Sequence, residues 1–210
     1  MDNNHYTIIG AGGFAKEVYN CLLQRLQFDK VANYTIDFVV DDIYYSESTI
    51  FGAAVYPFSK YDFKGKEILI AIAQTEIRKR FADSLEGQTF ATLVHPSASV
   101  GLNVKMGEGA IITQNVVLTC DIEIGKHVQL NLNTTVGHDC RIGDFFTTAP
   151  SANISGNCTI GNNVYLATQA AVREKISITD NVIVGMGGIV VKDIEQPGTY
   201  VGFPAKLKTI

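Results

Sequence analysis

A period of six residues runs through the second half of this chain without a change of phase. Stepping by six from Val94 reaches Val100, Met106, Ile112 and so on to Val190, and fifteen of the seventeen positions are Val, Ile or Leu. Those three residue types make up roughly a quarter of an average chain, so chance would place about four. A second series, four residues behind, runs from Ala98 to Ile194 and is mostly small or β-branched. Glycine often follows the first series, as at Gly101, Gly125, Gly137, Gly143, Gly161 and Gly185. An amphipathic helix repeats its faces near 3.6 residues, so a period of six excludes one. Short strands joined by tight turns fit, with Gly, Asn and Asp supplying the turn conformations. Three hexapeptides close one triangular coil of 18 residues. Both apolar series then point inward, and each strand pairs with the coils above and below at about 4.8 Å. The stretch 94–195 holds a little over five such coils.

The unit Leu/Ile/Val-Gly-x-x-small-x resembles that of the hexapeptide-repeat acyltransferases. The resemblance implies an all-β left-handed parallel β-helix, assembly as a homotrimer, and active sites lying between neighbouring subunits.

The first ninety residues read differently. Tyr6–Ile9 is a short apolar strand, followed by Gly10-Ala-Gly12-Gly13-Phe-Ala15. Lys16–Phe28 then carries Val18, Cys21, Leu22 and Leu26 at helical spacing. Tyr34–Val40 is a second strand ending in Asp41-Asp42, Ile68–Ala73 a third, and Thr75–Leu85 a second helix. Alternating strands and helices predict a small α/β, Rossmann-like parallel sheet over 1–90. The β-helix follows over 91–195, with a C-terminal tail over 196–210. A glycine loop between strand and helix lets backbone approach a phosphate, whose charge the helix N-terminus favours. Gly10, Gly12 and Gly13 are therefore candidate nucleotide contacts. Ninety residues are too few for a full dinucleotide domain, so a mononucleotide half is expected. Asp41 and Asp42 stand where such folds place base- or sugar-contacting acids; they read equally well as a solvated turn.

Composition narrows the function classes. Seventeen basic against 21 acidic residues give a net charge of -4, which argues against a nucleic-acid binder. The longest apolar run is the six residues Ile68–Ala73, far short of the roughly 20 a membrane span needs. No basic stretch precedes an apolar one at the N-terminus, so no signal peptide is expected and the cytoplasm is the expected location. Four cysteines without a CxxC or zinc-finger spacing read as free thiols.

IIGAGGFAKEV, VVDD, LVHPSA, VGHDCRIGDF and the C-terminal VGFPAK together span nearly the whole chain. In this combination the chain resembles the sugar O/N-acetyltransferase family, which includes sialic-acid O-acetyltransferases and nucleotide-4-amino-sugar N-acetyltransferases. The resemblance implies acetyl-CoA as co-substrate, no metal, and a nucleotide-linked amino sugar bound through the N-terminal domain. It implies a role in making bacterial surface glycans. Acetyl transfer needs a base, an oxyanion donor and two aligned substrates. The family's catalytic histidine matches His138, and the following acid matches Asp139, which would orient the imidazole; the family often has Glu there. Adjacent residues of a flat strand face opposite ways, so the pair requires a turn, which Gly137 makes plausible. One coil on from His138 stands Gly156, matching the family's oxyanion donor. Gly185 and Gly187 resemble the stretch lining the pantetheine groove of acetyl-CoA. Asn131 matches an acceptor-contacting asparagine, or else stabilises a turn. Thr147 stands where the family commonly has a second histidine.

Of the other histidines, His5 is placed near a frayed terminus, His95 at the domain junction, and His127 on an outward, solvated phase. Cys140 and Cys158, 18 apart, are expected to stack in the core. A metal-dependent lyase of the β-helix class needs two histidines five apart plus a third, whereas His127 and His138 are eleven apart. A nicotinamide-linked oxidoreductase and a non-catalytic scaffold fit the motifs less well. The expected activity is N-acetylation of a nucleotide-linked 4-amino-4,6-dideoxyhexose, with O-acetylation of a sialic acid or other sugar as the alternative. Imidazole, with an ordinary pKa of about 6.5, suits deprotonation of an attacking amine.

Overall fold

The computed structural model describes residues 4–208. It divides into two compact units between Pro96 and Ser97.

In the first unit, β1 (Asn4–Ile9) leads through the glycine loop into α1 (Gly13–Phe28), which buries Ala15, Val18, Cys21, Leu22 and Leu26 along one face. β2 (Tyr34–Val40) follows, then a hairpin of β3 (Thr49–Ile50) and β4 (Ala53–Pro57) that the sequence pattern did not reveal. β5 (Glu67–Ile70), α2 (Thr75–Ser84) and β6 (Thr89–Phe90) complete the unit. The sheet order is β3-β4-β2-β1-β5-β6, parallel except for the β3–β4 hairpin. The chain leaves β1 toward β2 on one side and returns to β5 on the other. That reversal opens a crevice at the carboxyl ends of the strands, where open α/β sheets take their ligands. His5, expected near a frayed end, lies within β1 and is held by Asp37 at 2.6 Å. Asp37 also accepts from the Tyr61 hydroxyl at 2.7 Å, so this corner is knitted by a polar network. His95 is 7 % exposed and bonded to the Gln24 side chain, and burial pulls its pKa down.

The second unit is a parallel β-helix of mostly two-residue strands. Paired residues are offset by 18 on all three faces: Ser99↔Val117↔Thr135↔Asn153↔Ala171↔Ile189, Lys105↔Glu123↔Arg141↔Thr159↔Ser177, and Ile111↔Gln129↔Thr147↔Tyr165↔Ile183. From Ala110 to Ile194 every member of both inward series is buried. Each Val, Leu or Ile so buried contributes roughly 1.5–3 kcal/mol, which is why the period is so strict. Thr148 breaks the first series at little cost, because its hydroxyl bonds Thr134 at 2.8 Å and accepts the Asn131 N–H at 2.9 Å. Cys140 and Cys158 stack in the core as expected, with the Cys158 N–H donating to the Cys140 sulfur at 3.4 Å.

The glycines that directly follow the first series are not turn residues; among the glycines of the repeat, Gly109 and Gly187 take the positive-φ position that Asn and Asp mostly fill. Positive φ falls three places after each apolar residue, at Asn103, Asn115, Asp121, His127, Asn133 and onward to Asn181. Asn and Asp tolerate that conformation better than other side chains. The glycines after the apolar series have another cause, close approach to the next coil. A Cβ on Gly143 would stand 2.7 Å from the Asn162 side-chain oxygen, which caps the Asp144 N–H at 2.8 Å. Gly125 and Gly161 make the same room for Asp144 and Asp180. His127, expected in solvent, is 5 % exposed and stacks on Phe145 with ring centroids 5.2 Å apart.

After Val190 the register changes. Ile194 pairs with Ile178, an offset of 16, and so leaves the second series to which its spacing assigned it. The stretch expected as a tail is built into the fold. Gly198–Val201 pairs in parallel with Val182–Val184, and Lys206–Leu207 folds back antiparallel on it. No helix among the described residues is long and apolar enough to cross a membrane.

Candidate active site

Two places gather the residues singled out in the sequence, one in each unit. In the β-helix, His138 and Asp139 occupy the corner between the strands Thr135–Val136 and Arg141–Ile142. The turn that lets neighbours converge is made by Asp139 itself, at φ 60°, and not by Gly137. Its carboxylate lies 2.7 Å from His138 Nδ1. A carboxylate only accepts, so Nδ1 carries a proton, and in the neutral imidazole the lone pair then lies on Nε2. Both side chains are more than half exposed, so Nε2 is open to a reactant.

One coil on, Gly156 lies directly against the imidazole. A Cβ there would stand 2.7 Å from Nε2 and 2.8 Å from Cε1. Its N–H donates to no group among the described residues, while the neighbouring Asn157 N–H is bound to the His138 carbonyl at 2.7 Å. An available lone pair beside an available backbone N–H is the minimum for base-assisted addition to a carbonyl.

The other β-helix candidates lie elsewhere. Asn131 follows the strand Gln129–Leu130 on a different face, and its side-chain oxygen accepts the Leu132 N–H at 2.7 Å, the turn role. Gly185 and Gly187 follow Val182–Val184 on that same face, three coils beyond Asn131. Gly185 is packed by Val201, 2.8 Å from where its Cβ would be, whereas Gly187 faces open space at φ 64°. Thr147 is buried in a strand between Gln129 and Tyr165 and offers no imidazole.

In the first unit, the carboxyl ends of β1, β2 and β5 surround a cleft of about 630 Å³. Gly10 closes its floor at φ 117°, with a Cβ position 2.8 Å from the Ala71 carbonyl, so only glycine fits. Gly12 and Gly13 differ: neither has positive φ, and among the described residues nothing beyond the adjoining backbone lies within 4 Å of their Cβ positions. Their missing side chains therefore serve no internal contact; they leave the start of α1 bare toward the cleft. No side chain caps that helix, and no acid stands in its first turn. Its first N–H groups and positive dipole end thus stay available to an anion.

Of the two acids after β2, only Asp41 lines the cleft. Asp42 turns away to accept the Ser59 N–H at 3.1 Å, and bonds from Ser59 hold its carboxyl below the ordinary range. No sequence pattern marks what faces Asp41: Arg80 of α2 pairs with it at 2.5 Å. Ile77, Arg80 and Phe81 share the cleft face of α2. Arg78, beside that face, is fully buried and donates to the carbonyls of Ile72 at 2.7 Å and Ala73 at 3.2 Å, fixing the wall after β5. Burial lowers its pKa to about 9, which leaves it charged at neutral pH. No cluster of three or more His, Cys, Asp or Glu among the described residues is arranged to hold a metal ion.

Comparisons with known proteins bear on both places. The family model described as the PglD N-terminal domain matches residues 6–85. GDP-perosamine N-acetyltransferase of Escherichia coli O157:H7 is 32 % identical over 133 residues, covering 61 % of this chain. The match spans 59 % of that curated relative's length. WeeI from Acinetobacter baumannii AYE is 31 % identical, with 97 % of this chain and 99 % of that one superimposing at a TM-score of 0.87. PerB from Caulobacter crescentus, in a complex with CoA and GDP-perosamine, is 27 % identical, with 98 % of each chain superimposing at a TM-score of 0.85.

Proposed function

We propose, for a chain that belongs to the hexapeptide-repeat family of nucleotide-amino-sugar N-acetyltransferases, that it moves the acetyl group of acetyl-CoA to the 4-amino group of a nucleotide-linked 4-amino-4,6-dideoxy sugar. The observation that carries this reading is the His138 imidazole, oriented through Nδ1 by Asp139, with Nε2 open and Gly156 against it. The amine nitrogen attacks the thioester carbonyl carbon, and the new C–N bond forms as the carbonyl oxygen gains charge. His138 Nε2 takes the proton the nitrogen loses. The Gly156 N–H donates to the oxyanion. Collapse breaks the C–S bond, and the CoA sulfur leaves with the proton returned by the imidazolium. Asp139 is a positioning residue in this scheme, and no acyl-enzyme forms.

The N-terminal cleft is assigned to the acceptor's nucleotide. The bare backbone at Gly12 and Gly13 and the uncapped start of α1 suit its diphosphate. Gly185 and Gly187 are assigned to the pantetheine arm of acetyl-CoA. The working form is assigned as a cytoplasmic homotrimer with active sites between subunits, which a solution mass of three chains would support. Surface-glycan assembly is the assigned context, in keeping with the perosamine enzymes it is similar to.

The test is thiol release from acetyl-CoA with UDP-, dTDP- and GDP-linked 4-amino sugars, beside free and CMP-linked sialic acid. GDP-perosamine is the first acceptor to assay. Turnover with one nucleotide 4-amino sugar, at least tenfold above every hydroxyl acceptor, is the expected result. Turnover only with sialic acid would overturn the assignment.

A further inference from the structure

The cleft carries a charge pair that an incoming nucleotide must meet. Among the described residues lining it, Arg80 is the one cation and Asp41 the one anion. Their 2.5 Å contact joins the end of β2 to α2, across the entrance beside the glycine loop. With the pair closed, the guanidinium is neutralised and the carboxylate is spent. A diphosphate would then face only the backbone N–H groups at the start of α1.

The pair is built to open. Arg80 is 60 % exposed at its side chain, and an ion pair so wet is worth little. The guanidinium also sits 5.0 Å from the Phe81 ring centroid, a second resting place that does not need Asp41. Arg78, two residues away, is by contrast fixed on two carbonyls and cannot turn.

We infer that the Asp41–Arg80 pair is a latch that the acceptor's nucleoside diphosphate opens. Arg80 exchanges Asp41 for the diphosphate, against which its planar fork makes paired charge-assisted hydrogen bonds. Asp41 is released to accept from N–H or hydroxyl donors of the same nucleoside. The exchange makes the cleft prefer a ligand that presents an anion and a donor together, and so discriminates a nucleoside diphosphate from free phosphate or a bare nucleoside. This inference rests on the acceptor-cleft reading above and adds the residue that selects the ligand.

Calorimetric titration of the full-length protein with GDP, UDP and dTDP, and with guanosine, uridine and thymidine as controls, tests it. For whichever nucleotide binds, Arg80→Gln is expected to weaken diphosphate binding roughly 10- to 100-fold while leaving the matching nucleoside within about threefold. Arg80→Lys should recover part of the loss, since a point charge remains without the fork. Asp41→Asn should weaken the nucleoside as well as the diphosphate. In steady state, Arg80→Gln should raise the acceptor KM and leave kcat at saturation unchanged. Diphosphate affinity unchanged in Arg80→Gln, with wild type binding well, would overturn the latch alone. Failure of the wild-type protein to bind any of the three nucleotides would overturn both the latch and the acceptor-cleft reading.

Discussion

Replacing His138 with alanine is expected to lower kcat for acetyl transfer by roughly 10²- to 10⁴-fold, the usual share of a general base. The melting temperature should stay within about one degree, because an exposed surface side chain contributes little to stability. Its imidazole is more than half exposed and bonds only Asp139 among the described residues. Asp139→Asn separates the carboxylate from the turn. Asparagine occupies the equivalent left-handed position at Asn103, Asn115, Asn133, Asn157, Asn163 and Asn181, so the backbone should not change. A smaller fall in kcat than in His138→Ala, with acceptor KM unchanged, is then the expected mark of lost imidazole orientation. Both variants need only steady-state assays and a thermal melt. An Asp139→Asn enzyme as active as wild type would remove Asp139 from the mechanism.

The second large effect is a contrast between two glycines one coil apart. Gly156→Ala puts a methyl group 2.7 Å from where His138 Nε2 now lies. The obstructed atoms are the far end of a side chain, which swings aside at little cost to the fold. Displacing a base by about 1 Å costs on the order of 100-fold in rate, so kcat should fall with stability nearly intact. Gly137→Ala meets backbone instead, with the Gly156 nitrogen 2.5 Å and the Ser155 carbonyl carbon 2.7 Å from the new Cβ. The coils must part, at roughly 1–3 kcal/mol for an overpacked site. That lowers Tm by about 2–4 °C per kcal/mol in a chain of this size. Equal stability losses in the two variants would contradict the placement of the imidazole over Gly156.

The β-helix was legible because its inward positions answer to one physical demand, burial, repeated every six residues. The turn conformation was less so. Gly and Asn both favour turns, and only the register tells which carries positive φ and which merely lets the next coil approach. The burial of His127 has a sign in the sequence: Phe145 stands 18 residues on, in the same turn column, where the two rings stack. In the first unit, the strand–loop–helix order pointed to the cleft and to Asp41. Arg80 was hidden, because nothing in Arg78-Lys79-Arg80 says which guanidinium is buried against carbonyls and which faces the acid just after β2. Packing of α2 decides that, and packing is set by residues distant in sequence. The β3–β4 hairpin escaped for a similar reason: Thr49–Ile50 and Ala53–Pro57 are too short to show a period.

The most direct measurement is the chemical form of the product. The protein is incubated with acetyl-CoA and the nucleotide-linked 4-amino sugar that turns over, and the product is treated with alkaline hydroxylamine before mass spectrometry. One acetyl group that survives the treatment, formed in step with CoA release and absent in His138→Ala, is the expected result, since amides resist hydroxylamine and esters do not. An acetyl group lost to hydroxylamine, or one formed equally well without His138, would contradict N-acetylation by this base.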